Sequence, residues 1–61
     1  MVKIGERLLL FRARNCLSQK QTAELIGISV ASVSRAERDI PISKIKELKI
    51  NDYIDRQEGI I

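Results

Sequence analysis

Sixty-one residues with a net charge of +3, a single cysteine and no histidine make one small domain and exclude both an internal disulfide and a histidine- or cysteine-built zinc cage. A chain this short buries only about 60% of the surface its unfolded form exposes, so helix packing and self-association must supply what crosslinks do not. Two aromatic residues (Phe11 and Tyr53), three glycines and one proline are too few for a turn-rich β-sandwich, and the composition reads as all-α. The longest apolar run, Leu8 to Phe11, is far short of the ~20 residues that span a bilayer. The opening Met1-Val2-Lys3-Ile4-Gly5-Glu6-Arg7 lacks the layout of a secretory signal. A free thiol without such a signal gives a cytoplasmic expectation. Charge is uneven: residues 1–39 carry seven Lys/Arg against four acids, whereas residues 40–61 carry four of each. The positive excess therefore sits in the first two-thirds, where it makes a modest nucleic-acid footprint or an ordinary solvated surface.

The spacing of Ile4, Leu8 and Phe11 predicts a first helix from Val2 or Lys3 to Arg14. Asn15 and Cys16 end it, with asparagine the residue that tolerates a left-handed closure. Ser18 is a good N-cap, and Gln21 three residues on completes a capping box. A second helix follows, its inner face carried by Thr22, Ala23, Leu25 and Ile26, and Gly27 stops it. Ser29 caps a third helix from Val30 to Arg38, which Pro41 keeps from running on through Ile40. Ser43 caps a short fourth helix to about Lys49. Asn51 or Asp52 then starts a last turn or two through Tyr53, Ile54 and Arg56, and Gly59-Ile60-Ile61 frays unless something covers it. The expected fold is one compact domain over residues 1–61, four to five helices, with a helix-turn-helix core at 19–38 and C-terminal helices and tail at 43–61.

Two short helices joined through Gly27-Ile28-Ser29 set the second at a steep angle to the first. Ala23 is small where they approach, Gly27 supplies the positive φ of the turn, and Ile28 and Val33 plug the turn and third helix into the core. At 100° per residue, Val30, Ala31, Ser34, Arg35 and Arg38 share one arc of the third helix, and Val33 and Ala36 the opposite arc. The first arc mixes the groups that read bases: arginine takes guanine O6 and N7 together, and small apolar groups meet the thymine methyl. Arg35 is the candidate for a guanine, Val30 and Ala31 for thymine methyls, and Ser34 a further candidate.

These segments resemble the lambda-repressor-like helix-turn-helix family of phage repressors, Cro proteins and small bacterial regulators. The resemblance is carried by Ile4-Gly5-Glu6-Arg7-Leu8, Phe11-Arg12, Leu17-Ser18-Gln19, Ala23-Glu24-Leu25-Ile26-Gly27-Ile28-Ser29 and Val33-Ser34-Arg35-Ala36-Glu37-Arg38. It implies base contact at the same third-helix positions. It also implies a phosphate contact at Gln19, the first residue of the second helix, with Ser29, Ser32, Ser43 and Lys44 next in line and Arg38 beside them. The family often pairs an arginine and a glutamate where this chain has Arg12 and Glu37, which implies a largely buried structural bridge. Three positions depart from the pattern. Thr22 and Ala36 replace large aliphatics, which predicts an underfilled core, and Asp39 stands where a glycine is common.

Leu9 and Leu10 lie off the inner face of the first helix, to be covered by the Ile60-Ile61 tail, by a partner chain, or by nothing. Ile42, Ile50, Tyr53 and Ile54 form a second apolar set that so small a monomer is not expected to bury fully, which points to association. The functional expectation is a sequence-specific double-stranded DNA-binding regulator, a repressor of the phage repressor and Cro type. Its third helix enters the major groove, and a homodimer through the C-terminal part meets an inverted-repeat operator. No cofactor, metal, small-molecule ligand or membrane is expected, and no catalysis, because paired carboxylates, a phosphate loop and a base for Cys16 are all missing. The chain has no room for a sizeable ligand-sensing domain, an economy that fits a phage or mobile-element switch. The alternative is a protein-interaction module of the same fold, of antitoxin or anti-repressor type.

Overall fold

Serine caps start three of the four helices of the computed structural model, which describes residues 3–59. Among these residues there are four helices and no strands: α1 (Ile4–Asn15), α2 (Gln19–Ile26), α3 (Val30–Glu37) and α4 (Lys44–Glu58). A start at Val2 and the Ile60-Ile61 tail lie outside the described residues. The Ser18 hydroxyl accepts from the Gln21 amide at 3.0 Å while Gln21 Oε1 accepts from the Ser18 amide at 2.9 Å, so the capping box is complete. Ser29 and Ser43 cap α3 and α4 through the amides of Ser32 and Lys46.

α1 runs one residue beyond expectation. Asn15 stays helical and donates its side-chain amide to the Phe11 carbonyl at 2.8 Å, and Cys16 takes the left-handed conformation at φ 53°. α2 ends at Gly27, φ 88°, as its sequence requires. Beyond α3 the left-handed residue is Asp39, φ 60°, and the Ile40 amide reaches back to the Arg35 carbonyl at 2.9 Å.

α4 corrects two expectations. It is one 15-residue helix, not a short helix and a separate turn. Asn51 is drawn off any capping role because its carbonyl oxygen accepts from Arg7 on α1 at 2.8 Å. Asp52 instead pairs with Arg56 one turn on, at 3.2 Å, a spacing that supports helix. Nor are Ile50 and Ile54 left for a partner: both are fully buried, and Ile42 and Tyr53 pack against the same core.

That core joins Leu8 and Phe11 of α1, Ala23 of α2, Val33 and Ala36 of α3, and Ile50 and Ile54 of α4. Phe11 meets Tyr53 edge-on, ring centroids 5.8 Å apart, a favoured aromatic geometry. Thr22 is fully buried with its hydroxyl donating to the Ser18 carbonyl at 2.9 Å, so the hydroxyl in place of a methylene is satisfied rather than orphaned. Ala36 is buried in the core, and α1 comes close to the backbone there: a Cβ on Gly5 would stand 2.7 Å from the Ala36 carbonyl oxygen and 2.9 Å from Asp39 Oδ1. Gly5 is therefore what lets α1 approach the end of α3. α4 is laced to α1 by Arg7 with Asn51 and Asp55, and by Arg14 with Glu58.

Candidate nucleic-acid interface

Glu37, the last residue of α3, fixes the start of α2 and the end of α3 together. Its carboxylate receives both of its close contacts with Arg12 from Nη1, at 2.6 and 2.8 Å, and a third bond from the Gln19 side-chain amide at 2.9 Å. Arg12 also donates through Nε to the Leu17 carbonyl at 3.2 Å. The Glu37 side chain is only 7% exposed and that of Arg12 23%. A carboxylate this far from water holds its partners through charge-assisted bonds, and one acid thereby ties α1, the α1–α2 turn, the first residue of α2 and the last of α3.

On this frame the outer arc of α3 faces solvent. Val30, Ala31, Arg35 and Arg38 are exposed and Ser34 is half-buried, while Val33 and Ala36 lie inside. Val30 keeps 43% of its surface in solvent, whereas Val33 and Ala36 on the opposite face are buried. The five residues grouped by helical spacing thus sit on one side of one helix.

Ser32 does not join them. It is fully buried, its amide donates to the Ser29 hydroxyl at 3.1 Å, and its own hydroxyl is 2.9 Å from the same oxygen. Both polar groups are therefore spent inside the cap, which removes Ser32 from the expected phosphate contacts. Its place in the helical arc, beside Val33 and Ala36, carried that signal. Gln19 is half-buried with its side-chain amide committed to Glu37, so what it offers outward is its backbone N–H at the start of α2, where helix geometry leaves amides without intrahelical partners. Ser29, Ser43 and Lys44 are exposed at the starts of α3 and α4. Arg7, not singled out by the sequence, proves to be the main polar tie between α1 and α4; only its long-range partners reveal it.

The charges are divided by place. Arg7, Arg12, Arg14 and Arg56 each have a carboxylate partner. Among the described residues, Lys3, Lys20, Arg35, Arg38, Lys44, Lys46 and Lys49 have none within 4.0 Å. The cations of α2, α3 and the first half of α4 are thus left to act on something outside the molecule, and helix N-termini add partial positive charge to the same region. Among the described residues no helix is long and apolar enough to cross a membrane.

A helix-turn-helix family profile matches residues 10–50, more than half of the chain and all of α2 and α3. No curated protein and no solved structure gives a significant match.

Proposed function

Since the chain belongs to the lambda-repressor-like helix-turn-helix family, whose domains are those of DNA-binding transcription regulators, we propose that it is a sequence-specific repressor of the phage repressor and Cro type with α3 in the major groove of double-stranded DNA. The observation that carries this reading is the outer arc of α3: Val30, Ala31 and Arg35 exposed side by side, with Arg35 and Arg38 free of acidic partners among the described residues. The major groove admits one α-helix, and these side chains are of the types that distinguish base edges there. Arg35 takes a guanine, Val30 and Ala31 meet thymine methyls, and Ser34 is the lesser contact. Arg38, Lys44, the Ser29 and Ser43 caps and the Gln19 amide hold the phosphates.

The operator is an inverted repeat read by a homodimer. The C-terminal side remains the proposed interface, carried now by Ile45 and Leu48 on the outer face of α4 and by Ile40 before it, exposed by 68, 58 and 44%. A twofold pair would set its two α3 helices about 34 Å apart, one turn of the duplex, and subunits 25 Å in their longest dimension have the reach for that spacing. The exposure of Leu9 and Leu10 favours a second reading, a protein-interaction module on the same fold.

Selection from a random duplex library at low and moderate salt separates the two. Enrichment of an inverted repeat that survives at moderate salt is expected, with affinity falling as salt displaces the phosphate contacts. A folded protein that enriches nothing at either salt concentration is the interaction module instead.

A further inference from the structure

We propose that the outer face of α1 is a self-association surface, on which a second copy docks its own α1 antiparallel about Leu10. The surface is centred on Leu10, 52% exposed, with Ala13 beside it and Leu9, 45% exposed, on its flank. Leu10 also lines a shallow recess with Arg7, Arg14 and Glu58, between α1 and the end of α4. No contact within the described residues covers it.

Charge decides what the surface accepts and in which direction. Glu6 lies four residues before Leu10 and Arg14 four residues after it, both exposed, so each stands about 6 Å along the axis from the leucine. An antiparallel copy brings its Glu6 level with this chain's Arg14, and its Arg14 level with this chain's Glu6. A parallel copy sets like against like, which is repulsive. Arg14 gives one nitrogen to Glu58 at 2.7 Å, and a guanidinium has further N–H groups to offer. A segment that is acidic at one end, apolar in the middle and basic at the other is its own complement only when reversed.

Such an interface is isologous, with the same residues contributed from both sides. Leu10, Ala13 and Leu9 alone fall well short of the ~1,200 Å² that a stable complex buries. The contact is therefore weak between free molecules and becomes effective when copies are held close together, where local concentration replaces affinity.

The position of the surface says what it would join. Gly5 packs directly on Ala36 of α3, and Leu10 lies about 140° around α1 from Gly5. The five residues of the outer arc lie about 100–160° around α3 from Ala36. The α1 surface and the outer arc of α3 therefore face opposite sides of the molecule, and one can be occupied without blocking the other. Two copies joined through α1 present their α3 arcs outward in opposite directions, to two separate duplex segments rather than one. This last step rests on the DNA-binding reading; the self-contact does not.

The test therefore begins without DNA. In a Cys16→Ser background, Leu10→Cys is oxidised and compared with Lys20→Cys, which is also exposed but lies on another helix. Disulfide-linked dimer is expected several-fold faster from Leu10→Cys. Adding Glu6→Arg should abolish that advantage, and Glu6→Arg with Arg14→Glu should restore it, since the complement is then rebuilt in reverse. Equal rates at positions 10 and 20, or an advantage that ignores both charge changes, overturns the proposal. With two duplexes of selected sequence, one immobilised and one labelled, the unsubstituted protein should retain the labelled duplex and Glu6→Arg should lose it while still binding a single duplex. Failure to bind any duplex counts against the DNA reading alone, because the crosslinking result stands independently of it.

Discussion

The arginines of α1 and those of α3 are the same residue put to opposite uses. Arg7, Arg12 and Arg14 are each matched to a carboxylate that another helix supplies: Asp55 and Glu58 from α4, and Glu37 from α3. Arg35 and Arg38 have no such match among the described residues. The positive excess of the first two-thirds of the chain is therefore not a diffuse field. Three of its seven cations are matched in the scaffold, and of the four left unmatched among the described residues (Lys3, Lys20, Arg35 and Arg38) two lie on the outer side of α3. The placement of four acids (Glu37, Asp52, Asp55 and Glu58), rather than the number of basic residues, decides which surface is available to an anion. Glu37 belongs to both halves: it closes α3, and it is where the scaffold holds that helix in place.

Breaking the scaffold side gives the largest expected effect. Glu37→Ala leaves Arg12 and the Gln19 amide without their shared acceptor in a poorly solvated place, and loss of one partner of such a pair costs on the order of 3 kcal/mol. In a domain of this size that lowers the melting temperature by more than 10 °C, at about 4–8 °C per kcal/mol, as thermal unfolding followed by circular dichroism would record. An unchanged melting temperature would show that the network is surface decoration.

The opposite half should respond in the opposite way. Arg35→Ala touches no internal partner, so folding stability should stay within about 0.5 kcal/mol, while binding to the selected sequence weakens by about 1–3 kcal/mol and discrimination relaxes at one base position. A selected sequence identical to that of the unsubstituted protein refutes Arg35 as a base reader. Arg38→Ala is expected to be milder and different in kind. Affinity should fall by a similar factor on all sequences, and the slope of log affinity against log salt should drop by about 1. A change in sequence preference would move Arg38 from the phosphates to the bases.

What was legible in the sequence was whatever local chemistry decides. Ser18 with Gln21, Ser29 and Ser43 mark helix starts because a cap bonds three residues away, and those bonds are present; Gly27 marks a helix end because it takes the left-handed conformation. The outer arc of α3 was legible because helical spacing alone puts Val30, Ala31, Ser34, Arg35 and Arg38 together. The unbroken α4 was not, since Asn51 looks like a cap until Arg7, 44 residues earlier, takes its carbonyl. The burial of Ile50 and Ile54 likewise depends on α1 arriving from far away in the chain. Ser32 misleads for another reason: it stands near a helix start, but its place on the inner arc buries it.

The smallest expected effect concerns the joint between the two halves, where α3 ends and the chain turns back towards α4. Three residues in this molecule close helices in the left-handed region before another helix begins: Cys16, Gly27 and Asp39. Only Gly27 has the residue that adopts it at no steric cost. For a residue with a Cβ the conformation costs roughly 1–2 kcal/mol, less for aspartate, whose short side chain bonds locally. A glycine at 39 removes that strain but loses more backbone entropy on folding. Asp39 is exposed, so its removal does not open the core. The balance favours Asp39→Gly by about 0.5 kcal/mol, visible as a melting temperature a few degrees higher with the selected DNA sequence unchanged. Because the change removes a negative charge one residue beyond Arg38, DNA affinity should also rise slightly, more at low salt than at high. Greater stability with unchanged affinity at both salt concentrations would place Asp39 wholly on the scaffold side. A loss of stability would mean that its side chain, rather than the backbone closure it occupies, holds the end of α3.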